Sequence, residues 1–169
     1  DISQIWRNDL VTFLLGCSFT AEEALTEAGL EPRHIRETGI VPMYKTSKPT
    51  KGAGKFSGPF VVSMRPYTPK DAQRASDITA KYSIAHGAPI QIGDPISIGI
   101  RDVGRPDFGE PVTIKDKEVP VFWACGVTPQ VAIANAKPKL AITHVPGYMF
   151  VSDLKSEQAV PWQEQTKGT

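Results

Sequence analysis

The sequence predicts an α/β fold, or its α+β variant: a mixed β-sheet with flanking helices, the alternative being two subdomains with a site between them. Three observations carry that expectation. Short runs rich in β-branched residues alternate with segments bearing helix start and stop signals. The alternation has no clean βαβ period, so a purely parallel sheet is not expected. Hydrophobic residues make up 40% of the 169-residue chain and charged residues 22%, a balance that closes a core rather than leaving the chain disordered.

In chain order, the opening run DISQIWRNDLVTFLLG places Ile5, Leu10, Phe13 and Leu14 near helical spacing, with Gly16 as a stop. A chain that opens inside an element is expected to be a piece of a longer one. In CSFTAEEALTEAGL, Thr20 and Glu23 form a capping-box pair and Gly29 fits a C-terminal stop. IVPMYKT and PFVVSMRPY read as strands. The Gly/Lys loop between them, at residues 48–58, is a candidate lid. Thr68-Pro69 opens a helix through about Lys81, with proline at the first helical position. HGAPIQIGDP reads as an ordered, irregular loop, and ISIGI, EPVTIKDKEVPVFWAC, KLAITHV and YMFVSDL as further strands. Thr128-Pro129 starts a helix that ends before Pro138, and residues 160–169 read as a disordered tail on a single domain spanning 1–169.

A formal charge of +1 gives no bulk attraction to nucleic acid or an anionic membrane, so the expected partner is a small molecule met by a local site. A homo-oligomer is left open. Two cysteines far apart in sequence do not make a disulfide framework and point to a reducing compartment. With no apolar run long enough to cross a bilayer, the expectation is a cytoplasmic protein, or a mitochondrial-matrix one in a eukaryote.

Cys17 lies in CSFT and Cys125 in CGVT. In both, the threonine is the expected N-cap of the following helix. Each thiol is then expected at or just before a helix N-terminus, where free N–H groups and the macrodipole favour the thiolate and lower its pKa. Two thiols facing each other across a cleft can move a proton on and off an amino-acid α-carbon without a cofactor, as in the glutamate and aspartate racemases, an analogy of arrangement only. The alternative is that each cysteine packs as a small hydrophobe.

Among the histidines, His34 in EPRHIRE is expected as a solvated or capped loop residue. His86 and His144 stand in Gly/Pro loops that display side chains for acid–base work. No histidine or cysteine pair has ligand spacing, so no metal and no cofactor is expected. KGAGKFSG lacks the Ser or Thr of a phosphate loop and precedes a strand, which rejects it as a nucleotide motif. Arg65 ends the apolar run PFVVSM and must meet an acid, either a protein carboxylate or a substrate carboxylate held bidentately. Tyr44 and Lys45 are a candidate second anionic anchor. Asp94, Asp102 and Asp107 are possible bases, although aspartate beside Gly and Pro is more often a turn former. Trp123 is expected in the core.

Seven blocks, in order, resemble the D-glutamate cyclase family of hydro-lyases: GCSFTAEEAL, VPMYKT, GPFVVSMRP, HGAPIQIGDP, PDFGEPV, EVPVFWACGVTPQ and ITHVPGYMFVSDL. The resemblance covers nearly the whole chain. It implies a lyase that closes D-glutamate to 5-oxo-D-proline with loss of water, and a further N-terminal region before the Cys17 block. Under that resemblance Arg65 grips a substrate carboxylate, with Tyr44, Lys45 and Asp94 as further substrate contacts. His86 or His144 is general base or acid, and the N–H groups from Gly126 to Thr128 offer an oxyanion site. Cys125 is a proton carrier or covalent relay, with Cys17 as its partner. Family members often carry histidine where this chain has Gln91 and Tyr148, so no proton-transfer role is placed there. The competing readings are a two-cysteine racemase or epimerase and a non-catalytic small-molecule-binding domain.

Overall fold

The computed structural model describes residues 1–145 and 148–155. Four strands form one sheet: β1 (Met43–Pro49), β2 (Pro59–Tyr67), β3 (Gln91–Ile92) and β4 (Val119–Ala124). Their order is β1-β2-β4-β3 and every pairing is antiparallel. Helices α1 (Glu22–Glu27), α2 (His34–Glu37), α3 (Pro69–Thr79) and α4 (Val127–Ala136) complete the α/β arrangement expected from the sequence.

β2 lies between β1 and β4 and is buried from Val61 through Tyr67. That is why it reads as a nearly continuous apolar run rather than an alternating one. Successive side chains of a strand point to opposite faces, and the register sets which ones share a face. Ser63 lies opposite Trp123, Arg65 opposite Val121 and Tyr67 opposite Val119. Helices cover this face. Leu25 of α1 with Ala72 and Ala75 of α3 pack on Tyr67, Val121 and Trp123, while Val127 and Val131 of α4 pack on Met43 and Val61. The other face presents Tyr44, Val62, Met64 and Phe122, and irregular chain covers it through Ile98, Ile100 and Val112.

Several local signals act as expected. The Thr68 hydroxyl caps α3 by accepting the Asp71 N–H at 3.2 Å, with Pro69 at its first turn. α1 stops at the Ala28-Gly29 corner, where the Leu30 N–H bonds back to the Leu25 carbonyl at 2.8 Å. Trp123 is core, its indole N–H donating to the Thr79 hydroxyl at 3.0 Å. Of the loop expected at 48–58, Lys48 and Pro49 belong to β1 and residues 50–58 connect it to β2, closed by reciprocal Ala53 and Phe56 backbone bonds of 2.9 and 3.0 Å.

Other expectations are corrected. Residues 1–15 form no α-helix; Ser3–Ile5 is one 3-10 turn, and Phe13 and Leu14 are exposed. The run has helical spacing, but among the described residues most of its apolar side chains stay exposed, and short helices without tertiary packing are marginal. Nor is ISIGI a strand. Pro95 starts a 3-10 turn over Ile96–Ile98 that ends at Gly99 with φ of 83°. Only glycine fits there, because a Cβ at Gly99 would stand 2.7 Å from the Ser47 side chain. Within 110–125 only Val119–Ala124 pairs, and no strand forms in 139–145 or 148–154. The tail expected at 160–169 lies outside the described residues.

Candidate active site

Three turns converge on the helix-covered face of the sheet. The first runs from Gly16 through Cys17 into a 3-10 turn, Ser18–Ala21, that leads to α1. The second is the 3-10 turn Ser83–Ala85 ending at His86. The third carries Cys125 from β4 into α4, with the Cys125 N–H bonded to the Val61 carbonyl at 3.1 Å. Gly16 fixes the first against the second, since a Cβ at that position would lie 1.8 Å from the Ile84 carbonyl oxygen. It also faces the third, its carbonyl oxygen standing 3.9 Å from where a Cβ on Gly126 would be. The charge of Arg65 reaches Cys17, His86 and Cys125 alike. Sequence positions 17, 65, 86 and 125 therefore meet in one place.

Neither threonine is the expected N-cap. Thr20 lies inside the 3-10 turn and α1 begins without a side-chain cap, so the Thr20–Glu23 capping box does not form. Thr128 stands in the first turn of α4, and its hydroxyl instead clasps β2: it accepts the Val61 N–H at 2.9 Å and donates to the Val61 carbonyl at 3.2 Å. Satisfying a buried strand took precedence over capping the helix.

The protonation of the thiols is also opposite to expectation. Each sulfur does feel a backbone N–H two residues on, Phe19 for Cys17 and Val127 for Cys125, which by itself lowers its pKa. Burial outweighs that help. It raises the Cys17 pKa against the pull of the Phe19 amide and Arg65. It pushes the Cys125 thiol up to about 11, the neighbouring Cys17 adding to the rise. At neutral pH both are thiols. His86 moves the other way. Burial first and then the Arg65 charge hold its pKa below the usual histidine value, so its ring is neutral. Its Nε2 is buried with no hydrogen-bond partner among the described residues, and its backbone is left-handed at φ of 80°, a conformation uncommon outside glycine. A neutral imidazole beside protonated thiols is a base next to acids.

Arg65 is 2% exposed, and its acid is a protein carboxylate. Its Nε donates to Glu22 Oε1 at 3.0 Å and its Nη2 also bonds that oxygen. Nη1 donates to the Ser63 hydroxyl at 3.0 Å and Nη2 to the Ser18 hydroxyl at 3.3 Å, while the guanidinium lies 5.4 Å from the Trp123 ring centroid. His34, expected in solvent, is buried at 3% exposure. Its Nε2 is 3.5 Å from Glu22 Oε2 and its ring stacks on Phe19 at 5.9 Å between centroids. Its local sequence, rich in charge, did not announce that burial. For Glu22, burial alone would raise the pKa; the His34 and Arg65 contacts overcome that and hold the carboxyl below its ordinary value.

The remaining sequence-predicted residues lie elsewhere. Tyr44 is buried on the opposite face, its hydroxyl donating to the Val103 carbonyl at 2.7 Å. Lys45 pairs with Asp107, whose carboxylate accepts the Lys45 backbone N–H at 2.8 Å and stands 3.7 Å from its Nζ. Both border a separate cleft of about 260 Å³ with Arg101, Asp102 and Arg105. Asp94 and Asp102 fold their carboxylates onto the N–H groups of Ile96 and Gly104, as turn formers do. His144 is exposed, with Nδ1 against the Val145 carbonyl and its own carbonyl 3.4 Å from the Gln130 side chain. Of the expected oxyanion donors, the Thr128 N–H is taken by the Cys125 carbonyl at 3.0 Å. Among the described residues no group of three His, Cys, Asp or Glu side chains is placed to hold a metal ion.

Sequence reasoning missed Glu22, His34, Ser18 and Ser63. The usable signal was the arginine in an apolar strand, which demands a carboxylate, together with the Glu22-Glu23 pair just beyond one of the cysteine turns.

Comparison with known proteins supplies the family. The sequence profile described as D-glutamate cyclase matches residues 11–153. A protein named "Putative hydro-lyase" from Geobacillus kaustophilus is 57% identical over 158 residues, covering 94% of this chain and 60% of its own length. A namesake from Bordetella petrii is 55% identical over 154 residues, covering 91% and 58%. Another, from Staphylococcus carnosus, is 54% identical over 158 residues, covering 94% and 60%. The chain thus spans about 60% of the length of the curated relatives it matches.

Proposed function

The chain belongs to the D-glutamate cyclase family, and from that premise we propose that its three converging turns are the reacting site of a hydro-lyase that closes D-glutamate to 5-oxo-D-proline. The observation that carries this reading is the meeting of Cys17, Cys125 and His86 around the charge of Arg65.

The α-amine of the substrate attacks its own γ-carboxyl carbon, a carbon–nitrogen bond forms and a carbon–oxygen bond breaks. The substrate ammonium gives up two protons and the carboxyl one oxygen, so that oxygen leaves as water with no net proton drawn from solvent. His86, neutral and with a buried, unpartnered Nε2, takes the ammonium proton. Cys125, a thiol with its pKa near 11, gives a proton to the departing oxygen and is then reprotonated from the His86 imidazolium. Cys17 beside it gives the second proton to the departing oxygen and is reprotonated by the second proton the nitrogen loses, again carried by His86, so both thiols and the imidazole end as they began. The Gly126 N–H at the start of α4 serves the tetrahedral oxyanion. Arg65 holds the turns together rather than gripping substrate, because its guanidinium already serves Glu22, Ser18 and Ser63. The substrate carboxylates therefore require another anchor, for which Lys45, Asp94 and His144 offer no geometry at this site.

The racemase reading is less well supported. Such a pair needs one thiolate at rest, and burial pushes both sulfurs toward the protonated form.

Proton NMR of D-glutamate and L-glutamate in deuterated water tests the proposal, with the full-length Geobacillus kaustophilus relative run in parallel. Ring signals of 5-oxoproline from the D isomer alone are the expected result. Loss of the α-proton without ring closure would replace the cyclase by a racemase. Silence from both proteins would leave a binding domain.

A further inference from the structure

Resting on that reading of the three turns, we infer that Glu22 and His34 are positioning residues: a buried clamp that fixes Arg65 beneath the two thiols with its charge balanced.

The geometry is specific to a clamp. Glu22 sits four residues after the Gly-Cys turn ends at Ser18, and both Ser18 and Glu22 bond the same guanidinium. Arg65 is in turn bonded to Ser63, which lies opposite Trp123 on β4, two residues before Cys125. One arginine thus ties the Cys17 turn to the strand pair that carries Cys125. Glu22 approaches with Oε1 on the guanidinium and Oε2 on His34, so neither oxygen is free to rotate away. His34 is itself held by the Phe19 stack, and Phe19 belongs to the Cys17 turn. The side chains that lock the clamp are therefore drawn from the same turn that presents the thiol.

Charge balance follows from the same arrangement. A lone buried guanidinium would pull its neighbours toward their anionic forms, and pairing with a carboxylate cancels most of that field. The titratable groups within its reach are Glu22 on α1, Cys17 on the first turn, Cys125 after β4, His86 on the second turn and Tyr67 on β2, whose hydroxyl is tied to the Leu30 carbonyl at 2.8 Å, while His34 on α2 meets the far oxygen of Glu22. For Cys17, Arg65 lowers and Glu22 raises the pKa, burial being larger than either. The cyclase chemistry above needs thiols that hold their protons, and the clamp preserves that state.

The test reads thiol protonation rather than turnover. Each cysteine is labelled with iodoacetamide between pH 7 and 11, and the modification rate is followed by mass spectrometry. In Glu22→Gln the Cys17 midpoint is expected to move to lower pH, making labelling at pH 7.5 severalfold faster than in the wild type. Glu22→Asp keeps the charge and is expected to retain the wild-type profile. A folded Glu22→Gln protein with an unchanged Cys17 profile overturns the inference. Should that variant fail to fold, the double variant Glu22→Gln/Arg65→Met removes both charges together, which buried pairs often tolerate. Its Cys17 midpoint is expected at or above the wild-type one, and a fall below it overturns the inference equally. If the profiles shift as expected while glutamate is not turned over, the clamp stands and the cyclase reading fails.

Discussion

The sheet face that carries Val62, Met64 and Phe122 is apolar and closed by irregular chain, whereas the face that carries Ser63 and Arg65 buries a charge under helices. The same strand builds both, one residue after the other. On the apolar face, area removed from water stabilises the fold and the Tyr44 hydroxyl is answered by the Val103 carbonyl. On the other, removing the guanidinium from water is costly, and that cost is offset only because Glu22, Ser18 and Ser63 answer it. A buried ion pair is weak evidence for stability. Under the proposed function, its position beneath three converging turns is what gives it a chemical purpose.

The contrast can be broken experimentally, most strongly through the thiols. Cys125→Ser is expected to cut 5-oxoproline formation by about 10²–10⁴-fold while the thermal midpoint moves little, as measured by coupled turnover and calorimetry. An unchanged rate would take the charged face out of the chemistry and leave it structural.

Next come paired stability losses of different kinds. Arg65→Met strands a buried carboxylate and is expected to destabilise by about 3–5 kcal/mol in urea unfolding. Phe122→Ala opens a hole on the apolar face and is expected to cost about the same, 3–5 kcal/mol. The two should differ in rescue. Adding Glu22→Gln to Arg65→Met recovers most of the loss, because the stranded charge goes with it. No change at Glu22 restores Phe122→Ala, and a rescue there would mean the faces are not independent.

Titration separates the faces further. The Cys125 pKa is raised in the folded protein from 9.0 to about 11, so its contribution is complete below pH 9 and lost as pH rises toward 11. The Glu22 pKa is lowered from 4.5, so its contribution is complete above the unfolded value and lost as pH falls through the folded one. Stability measured from pH 3 to 11 should therefore fall at both ends. Cys125→Ser is expected to flatten the alkaline limb and Glu22→Gln the acid limb. The smallest effect expected is that of Tyr44→Phe, about 1 kcal/mol, which leaves the Val103 carbonyl without its donor. A larger loss would mark Tyr44 as more than a core residue.

Much of the scaffold was legible because local chemistry and tertiary demand agreed. β2 announced itself through its apolar run, and α3 through Thr68 and Pro69. The strands expected at 96–100 and 139–145 failed for a different reason. Ile and Val report burial or β-preference, but a strand also needs an edge to pair with, and Pro95 and Gly99 turned the first away from one. The cysteine turns and His86 were readable as exposed-looking loops after regular elements. That they meet was not, since nothing in CSFT or CGVT encodes contact across the sheet. Glu22 and His34 were invisible for the same reason: a carboxylate in the first turn of a helix reads as a response to the macrodipole, and only its distant arginine shows otherwise.

One close approach carries a consequence for anyone searching this protein by random mutagenesis. A methyl group at position 16 would collide with the Ile84 carbonyl, so every substitution there must push the Ser83–Ala85 turn, and His86 with it, away from its place. In a library scored for activity, position 16 would rank among the most intolerant sites while contributing no side chain at all. Its phenotype would imitate that of a lost histidine seventy positions downstream.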